Sequence, residues 1–169
     1  MQQPTAHVVV GVVPGRPSDV VATAAAFAER FGAELVCASV DTSHYTVERR
    51  PDGTVLALPI DSDLADDVVE KFDAELLRTI AQALDGRPVR WSTRALAGGP
   101  AQELASLADE IEAAMIVVGT REAGLRESFR EFFNGSVAVQ LAHQQHRPVV
   151  VVPLDPVDED GELPWREEA

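Results

Sequence analysis

Cysteine is nearly absent: Cys37 is the only one in 169 residues, so neither an internal disulfide nor a thiolate-rich zinc site can form. Its apolar surroundings mark it as a small buried hydrophobe. Long hydrophobic runs are missing too. No stretch approaches the ~20 uninterrupted apolar residues that cross a bilayer, and Met1 to Ala6 lacks the basic start and apolar run of a secretory signal. The expected location is therefore cytoplasmic, with no membrane partner. Positive charge is scarce: 14 Lys and Arg stand against 28 Asp and Glu, a formal net charge of −14. Nucleic acid is a poor partner for such a surface, because its binding depends on counterion release by clustered Lys and Arg.

Enzyme signatures are thin. There is no Gly-x-Ser-x-Gly elbow, no His-Glu-x-x-His, and no phosphate loop ending in Gly-Lys-Ser. The turn from Gly11 to Gly15 also lacks the Gly-x-Gly-x-x-Gly of dinucleotide folds. His143 and His146 could share a helix face as metal ligands, but no third ligand accompanies them, and cations in the last turn of a helix are the commoner explanation. No catalytic residue and no metal site are assigned.

What is present is an ordinary globular composition, 46% apolar and 25% charged, in a chain close to the size of one domain. Residues 1–154 form the expected domain. From Asp155 to Ala169 seven acids face one base, Arg166, among Pro156, Gly161 and Pro164 and without periodicity. That composition predicts a disordered acidic tail.

Within the domain, strands and helices alternate. His7 to Val13 (HVVVGVV) is a β-branched run of strand length, suited to burial on both faces. Pro14, Gly15 and Pro17 mark a turn, Ser18 offers a cap, and Val20, Ala24, Phe27, Ala28 and Phe31 recur at helical spacing up to Gly32. Glu34 to Asp41 (ELVCASVD) is a second apolar strand. Residues 42–60 break the rhythm, since Tyr45–Glu48 and Thr54–Leu58 flank the turn sequence Pro51-Asp52-Gly53. A hairpin insert is predicted there, serving as a lid, as added dimer surface or as a tolerated surface insertion.

Helical spacing resumes at Leu64, Val68, Phe72, Leu76, Ile80 and Leu84, with Asp61 to Asp63 as caps, and predicts the longest helix of the chain. Val89 to Leu96 alternates in the manner of an edge strand, and Pro100 opens a helix carrying Leu104, Leu107, Ala108 and Ile111. Ala114 to Gly119 is another buried strand, a short helix follows Gly135-Ser136 through His143, and Pro148 to Val152 closes the sheet. Five such alternations imply right-handed crossovers and a mostly parallel sheet covered on both faces. An apolar PVVVV strand at a sheet edge leaves backbone donors exposed, which predicts an isologous homodimer through residues 149–153.

In such sheets the ligand crevice lies at the carboxyl ends of the strands, where the strand order reverses. The loop from Gly119 to Ser136 joins a buried strand to a helix whose amino end carries Gly-Ser, a place where N–H groups and the helix dipole favour phosphate. Arg121, Arg126 and Arg130 offer charge-assisted contacts. The alternative is structural: a tight turn at Gly119, a cap at Asn134 or Ser136, and Arg and Glu alternating on a solvated face.

Taken together, the opening VVVGVV strand, the ASVD end of the second, the IVVGT end of the fourth, the NGSV helix start and the final RPVVVVP resemble the universal stress protein family. The resemblance runs from about His7 to Pro153. It implies a single-domain, doubly wound, Rossmann-like α/β fold of the adenine nucleotide alpha hydrolase type, with five parallel strands in the order 3-2-1-4-5, usually dimeric. It also implies a division between members that bind ATP and members that do not.

The ATP-binding members carry Gly, two residues, Gly, nine residues, then Gly followed by Ser or Thr. Gly119 matches the first position, Glu122 stands in place of the second glycine, and twelve residues separate it from Gly135; Gly124 as a displaced second glycine leaves ten. Where the family usually has an Asp at the end of the first strand, this chain has Val13, and Asp41 is a substitute ribose acceptor. The nucleotide contacts implied are Val12, Val13, Val40, Asp41, Val118, Gly119, Arg121, Gly135, Ser136 and Val137.

Two readings stay open. One is a stress-response regulatory dimer holding ATP, with or without Mg2+, between the first and fourth strands, any slow hydrolysis being incidental. The other is a dimeric interaction module that binds no ATP. An enzyme acting on a small phosphorylated or adenylated compound keeps the same fold but needs a catalytic group that the sequence does not show.

Overall fold

The computed structural model describes residues 6–15, 17–60, 68–120 and 136–154. Arg121, Gly135, the helix caps expected at Asp61–Asp63 and the tail at 155–169 lie outside the described residues. Strand β1 (His7–Gly11) leads through helix α1 (Pro17–Phe31) to β2 (Glu34–Asp41). The insert follows as β3 (His44–Arg49), β4 (Val55–Pro59) and β5 (Val68–Glu70). Then come α2 (Ala74–Ala83), β6 (Trp91–Ala97), α3 (Pro100–Glu110), β7 (Met115–Gly119), α4 (Val137–Gln144) and β8 (Val149–Val152).

The main sheet is parallel throughout and ordered β6-β2-β1-β7-β8. Counting only its own strands, this is 3-2-1-4-5. The central β1 shows why an uninterrupted valine run belongs here. Side chains alternate across a strand, and Val8, Val10 and Val12 enter the core shared with α1 and α2, while Val9 enters the core shared with α3 and Leu141 of α4. Val8, Val9 and Val10 are all fully buried. Among the described residues, no helix is long and apolar enough to cross a membrane.

Three local expectations are corrected. Helix α1 begins with Pro17 at its first position, so Ser18 lies inside the helix rather than capping it. Its buried stripe is Val20, Val21, Ala24, Ala25 and Ala28, small residues that let the helix sit close to the sheet. Phe31 is instead 56% exposed and stacks on Phe27, with ring centroids 6.4 Å apart. The long helix expected from Leu64 is also corrected. Val68–Glu70 pair antiparallel with β4, and the helix starts only at Ala74, where the extended Asp73 accepts a hydrogen bond from Leu76 N at 2.7 Å. With 10 residues against 15, α2 is shorter than α1. Its true stripe is Leu76, Ile80 and Leu84, all buried. As the commoner explanation expects, His143 lies in the last turn of α4, which ends at Gln144 before His146.

The hairpin forms around its Pro-Asp-Gly turn. Gly53 N donates to Arg50 O at 3.1 Å, Arg50 N to Thr54 O at 2.9 Å, and the Asp52 carboxylate accepts from both Thr54 N and Oγ1. With β5 it makes a separate three-stranded antiparallel sheet. This sheet docks on β6 and α3: Val55 and Ala57 are buried with Leu96, Ala97 and Leu104, and Arg49 meets Glu103 of α3 at 2.5 Å.

Candidate functional site

Counting along the chain, β1 passes to β2 on one side, and after β6 the chain returns to place β7 on the other side of β1. The strand order therefore reverses between β1 and β7, where neighbouring loops diverge and leave a crevice. A cavity of about 300 Å³ lies there, at the lower end of the range typical of small-molecule pockets. Its floor and walls are apolar: Val12, Val20, Ala38, Val40, Leu104 and Val118. Polar atoms come from Thr42, Thr120 and Ser136, and no charged side chain lines it among the described residues.

Seven of the ten nucleotide contacts expected from sequence meet in this cavity: Val12, Val13, Val40, Val118, Gly119, Ser136 and Val137. Val12 continues β1 by donating its N–H to Ala38 O at 2.9 Å, whereas Val13 turns out and is 66% exposed at the rim. Ser136 is the N-cap residue of α4, with extended backbone and no side-chain capping bond. Among the described residues, that hydroxyl and the first-turn N–H groups of the helix have no hydrogen-bond partner. Arg121 and Gly135 lie outside the described residues.

Asp41 does not join the others. Its Oδ1 accepts from Ser43 N and Ser43 Oγ, each at 2.7 Å, and its Oδ2 lies 2.7 Å from His44 Nδ1. Partial burial pushes its pKa up, but the hydrogen bonds from Ser43 and His44 more than offset this and hold the carboxyl below its ordinary range. The residue lines a separate cavity of about 240 Å³ with Pro14, Ser39, Lys71, Phe72 and Asp73. The substitute ribose acceptor is thus occupied in fastening the start of the insert. Asp41, Ser43 and His44 are also no catalytic triad, because Ser43 Oγ and Asp41 Oδ2 both address the same ring nitrogen, Nδ1, where a relay needs opposite ones.

The lining residues that sequence reasoning missed include Thr42, Leu104, Thr120 and Leu154. Thr42 and Thr120 directly follow strand ends already identified and were reachable from strand-end logic. Leu154 carried no signal, since its place depends on where the chain turns after β8. Among the described residues, the insert contributes only Thr42 to the lining of the cavity. Among the described residues, no group of three or more His, Cys, Asp and Glu is placed to hold a metal ion. Cys37 is buried in β2, and burial pushes its thiol up to about 12, leaving it unreactive.

Against known proteins, the model of the universal stress protein family matches residues 5–153. No curated protein matches the chain. Several solved structures share the fold. A universal stress protein in complex with cAMP is 23% identical, with a TM-score of 0.57 over 89% of this chain and 98% of the other. The universal stress protein from Archaeoglobus fulgidus in complex with dAMP is 19% identical, with a TM-score of 0.57 over 89% and 99%. An Arabidopsis thaliana family protein with AMP bound is 15% identical, with a TM-score of 0.53 over 93% and 97%.

Proposed function

Because this chain belongs to the universal stress protein family, we propose that it is a regulatory binding protein whose cavity between β1 and β7 holds an adenine nucleotide. The observation that carries this reading is the cavity itself: an apolar slot of about 300 Å³ at the reversal of strand order, with the amino end of α4, which has no side-chain cap, in its wall. Val12, Val40, Val118 and Val137 suit the faces of a base, and the first-turn N–H groups of α4 with Ser136 Oγ suit a phosphate. The nucleotide-bound structures of similar fold support the same ligand class. The pattern of Gly119 and Gly135-Ser136 points to ATP, with or without Mg2+, whereas the cavity itself supports the adenine nucleotide class.

The activity proposed is binding rather than turnover, since no positioned base or nucleophile faces the cavity among the described residues. The protein acts as a homodimer through residues 149–153, where β8 forms an edge of the sheet with Val151 45% exposed. A second reading, an interaction module without nucleotide, is favoured by one observation: Val13 at the rim and Asp41 turned to Ser43 and His44 leave no carboxylate for a ribose among the described lining residues.

Isothermal titration of the purified chain with AMP, cAMP and ATP decides between them. Saturable binding of at least one with a micromolar Kd, roughly −8 kcal/mol, is expected. No heat and no thermal stabilisation up to about a millimolar ligand, where mass action demands a shift, would replace the nucleotide reading with the interaction module.

A further inference from the structure

After β8 the chain does not leave the sheet but crosses the carboxyl end of β7. Thr120 N donates to Val152 O at 2.8 Å, extending the parallel ladder, and Leu154 N donates to Thr120 Oγ1 at 2.9 Å. These two bonds hold residues 152–154 beside residues 119–120. They bring the Leu154 side chain onto Gly119: a Cβ added to that glycine would lie 2.9 Å from Leu154 Cδ1 and 3.2 Å from its Cγ. Gly119 is not among the glycines with positive φ, so its backbone conformation does not require a glycine. A side chain there would instead press on Leu154, which would have to give way. Both residues line the cavity.

We propose that Leu154 is the residue that sets ligand length in this cavity, admitting a nucleoside monophosphate and excluding a triphosphate unless its side chain moves. The inference rests on the nucleotide reading of the same site. A phosphate chain gains from bare glycine backbone and free N–H groups. At this end Leu154 covers the Gly119 Cα face, and Thr120 N–H is already committed to Val152 O. Among the described residues, further backbone donors lie on another wall, in the first turn of α4. Nothing charged among the described lining residues offsets the further charge of a longer chain.

The test is titration of AMP and ATP into the full chain and into Leu154→Ala, with Leu154→Met as the conservative control. The wild type is expected to bind AMP at least about ten-fold more tightly than ATP, and Leu154→Ala to close that gap to within about three-fold by improving ATP; Leu154→Met keeps it. An AMP-to-ATP ratio unchanged in Leu154→Ala would overturn the assignment while leaving the nucleotide site intact. Failure of the wild type to bind either ligand would instead overturn the nucleotide reading itself and the length assignment with it.

A double-mutant cycle tests the contact without ligand. Gly119→Ala is expected to lower the denaturation midpoint of the wild type clearly and that of Leu154→Ala hardly at all. Equal losses in the two backgrounds would show that Leu154 does not occupy the face of Gly119, and would overturn the proposal whatever the titrations gave.

Discussion

At the β6 edge of the main sheet the backbone is answered by the chain's own insert, and at the β8 edge it is not. Ala95 N donates to Gly53 O at 3.0 Å, Ala97 N donates to Thr46 Oγ1 at 3.2 Å, and the same hydroxyl donates to Ala97 O at 2.7 Å. Val55 and Ala57 then seal that side with fully or nearly fully buried side chains. On β8, by contrast, Val151 is 45% exposed and no strand pairs on the outer side among the described residues. A sheet of this topology has two edges to protect. Here the insert closes one of them, and the proposed pairing of a second copy on β8 would cover the other.

The largest effect is expected from breaking the closed edge at its tightest point. Gly53 has φ of +84°, and a Cβ there would lie 2.9 Å from the Thr93 carbonyl oxygen. A side chain at 53 therefore meets both an unfavourable backbone region and the strand that the turn protects. Gly53→Val should cost about 3 kcal/mol, seen as a fall in Tm on the order of 10 °C. A loss smaller than about 1 kcal/mol in denaturant titration would show that the turn does not bear on β6 as described.

The open edge is tested by association rather than by folding. Val151→Lys places a charge in the centre of the proposed pairing strand. It should abolish the dimer at micromolar concentration in multi-angle light scattering, while changing the stability of the monomer by no more than about 0.5 kcal/mol. A wild-type monomer at the same concentration would remove the dimer from the proposed function. A dimer that survives the Val151→Lys substitution would move its interface away from β8.

The same contrast explains what was legible in the sequence. Central strands of the main sheet read clearly, because burial on both faces demands an unbroken apolar run: His7–Gly11, Glu34–Asp41 and Met115–Gly119 fall inside such runs, and the four valines of the edge strand Val149–Val152 read as strand from their β-branching. The hairpin read clearly too, because Pro51-Asp52-Gly53 is a local signal. The insert's third strand did not. Val68 lies at helical spacing from Phe72 and Leu76, and only pairing with Ala57 of β4 selects strand over helix. The site followed the same rule. The residues at strand ends, Val12, Val40, Val118 and Gly119, were accessible to reasoning about topology. The diversion of Asp41 to Ser43 and His44, and the seating of Leu154 on Gly119, depend on how two connections bend, which no periodicity encodes.

The smallest effect sharpens the comparison at the joint where the insert leaves β2. Asp41 there gathers Ser43 and His44, and its backbone carbonyl accepts from Gly98 N at 2.8 Å just beyond β6. Because the folded carboxyl lies below its ordinary range, the folded state favours the ionised form. The stabilisation is therefore complete above the unfolded value, about pH 4, and is lost as pH falls through the lower folded value. Partial exposure keeps it below about 1 kcal/mol. Asp41→Asn should accordingly lower stability slightly at pH 7 and flatten the decline below about pH 4, measured by urea unfolding at each pH. It should also raise amide exchange at Ser43 without changing that at Val151, since the joint serves the closed edge alone. An acid decline as steep in Asp41→Asn as in the wild type would place the sensitivity in another carboxylate, and equal exchange changes at both positions would show that the two edges are coupled rather than independently finished.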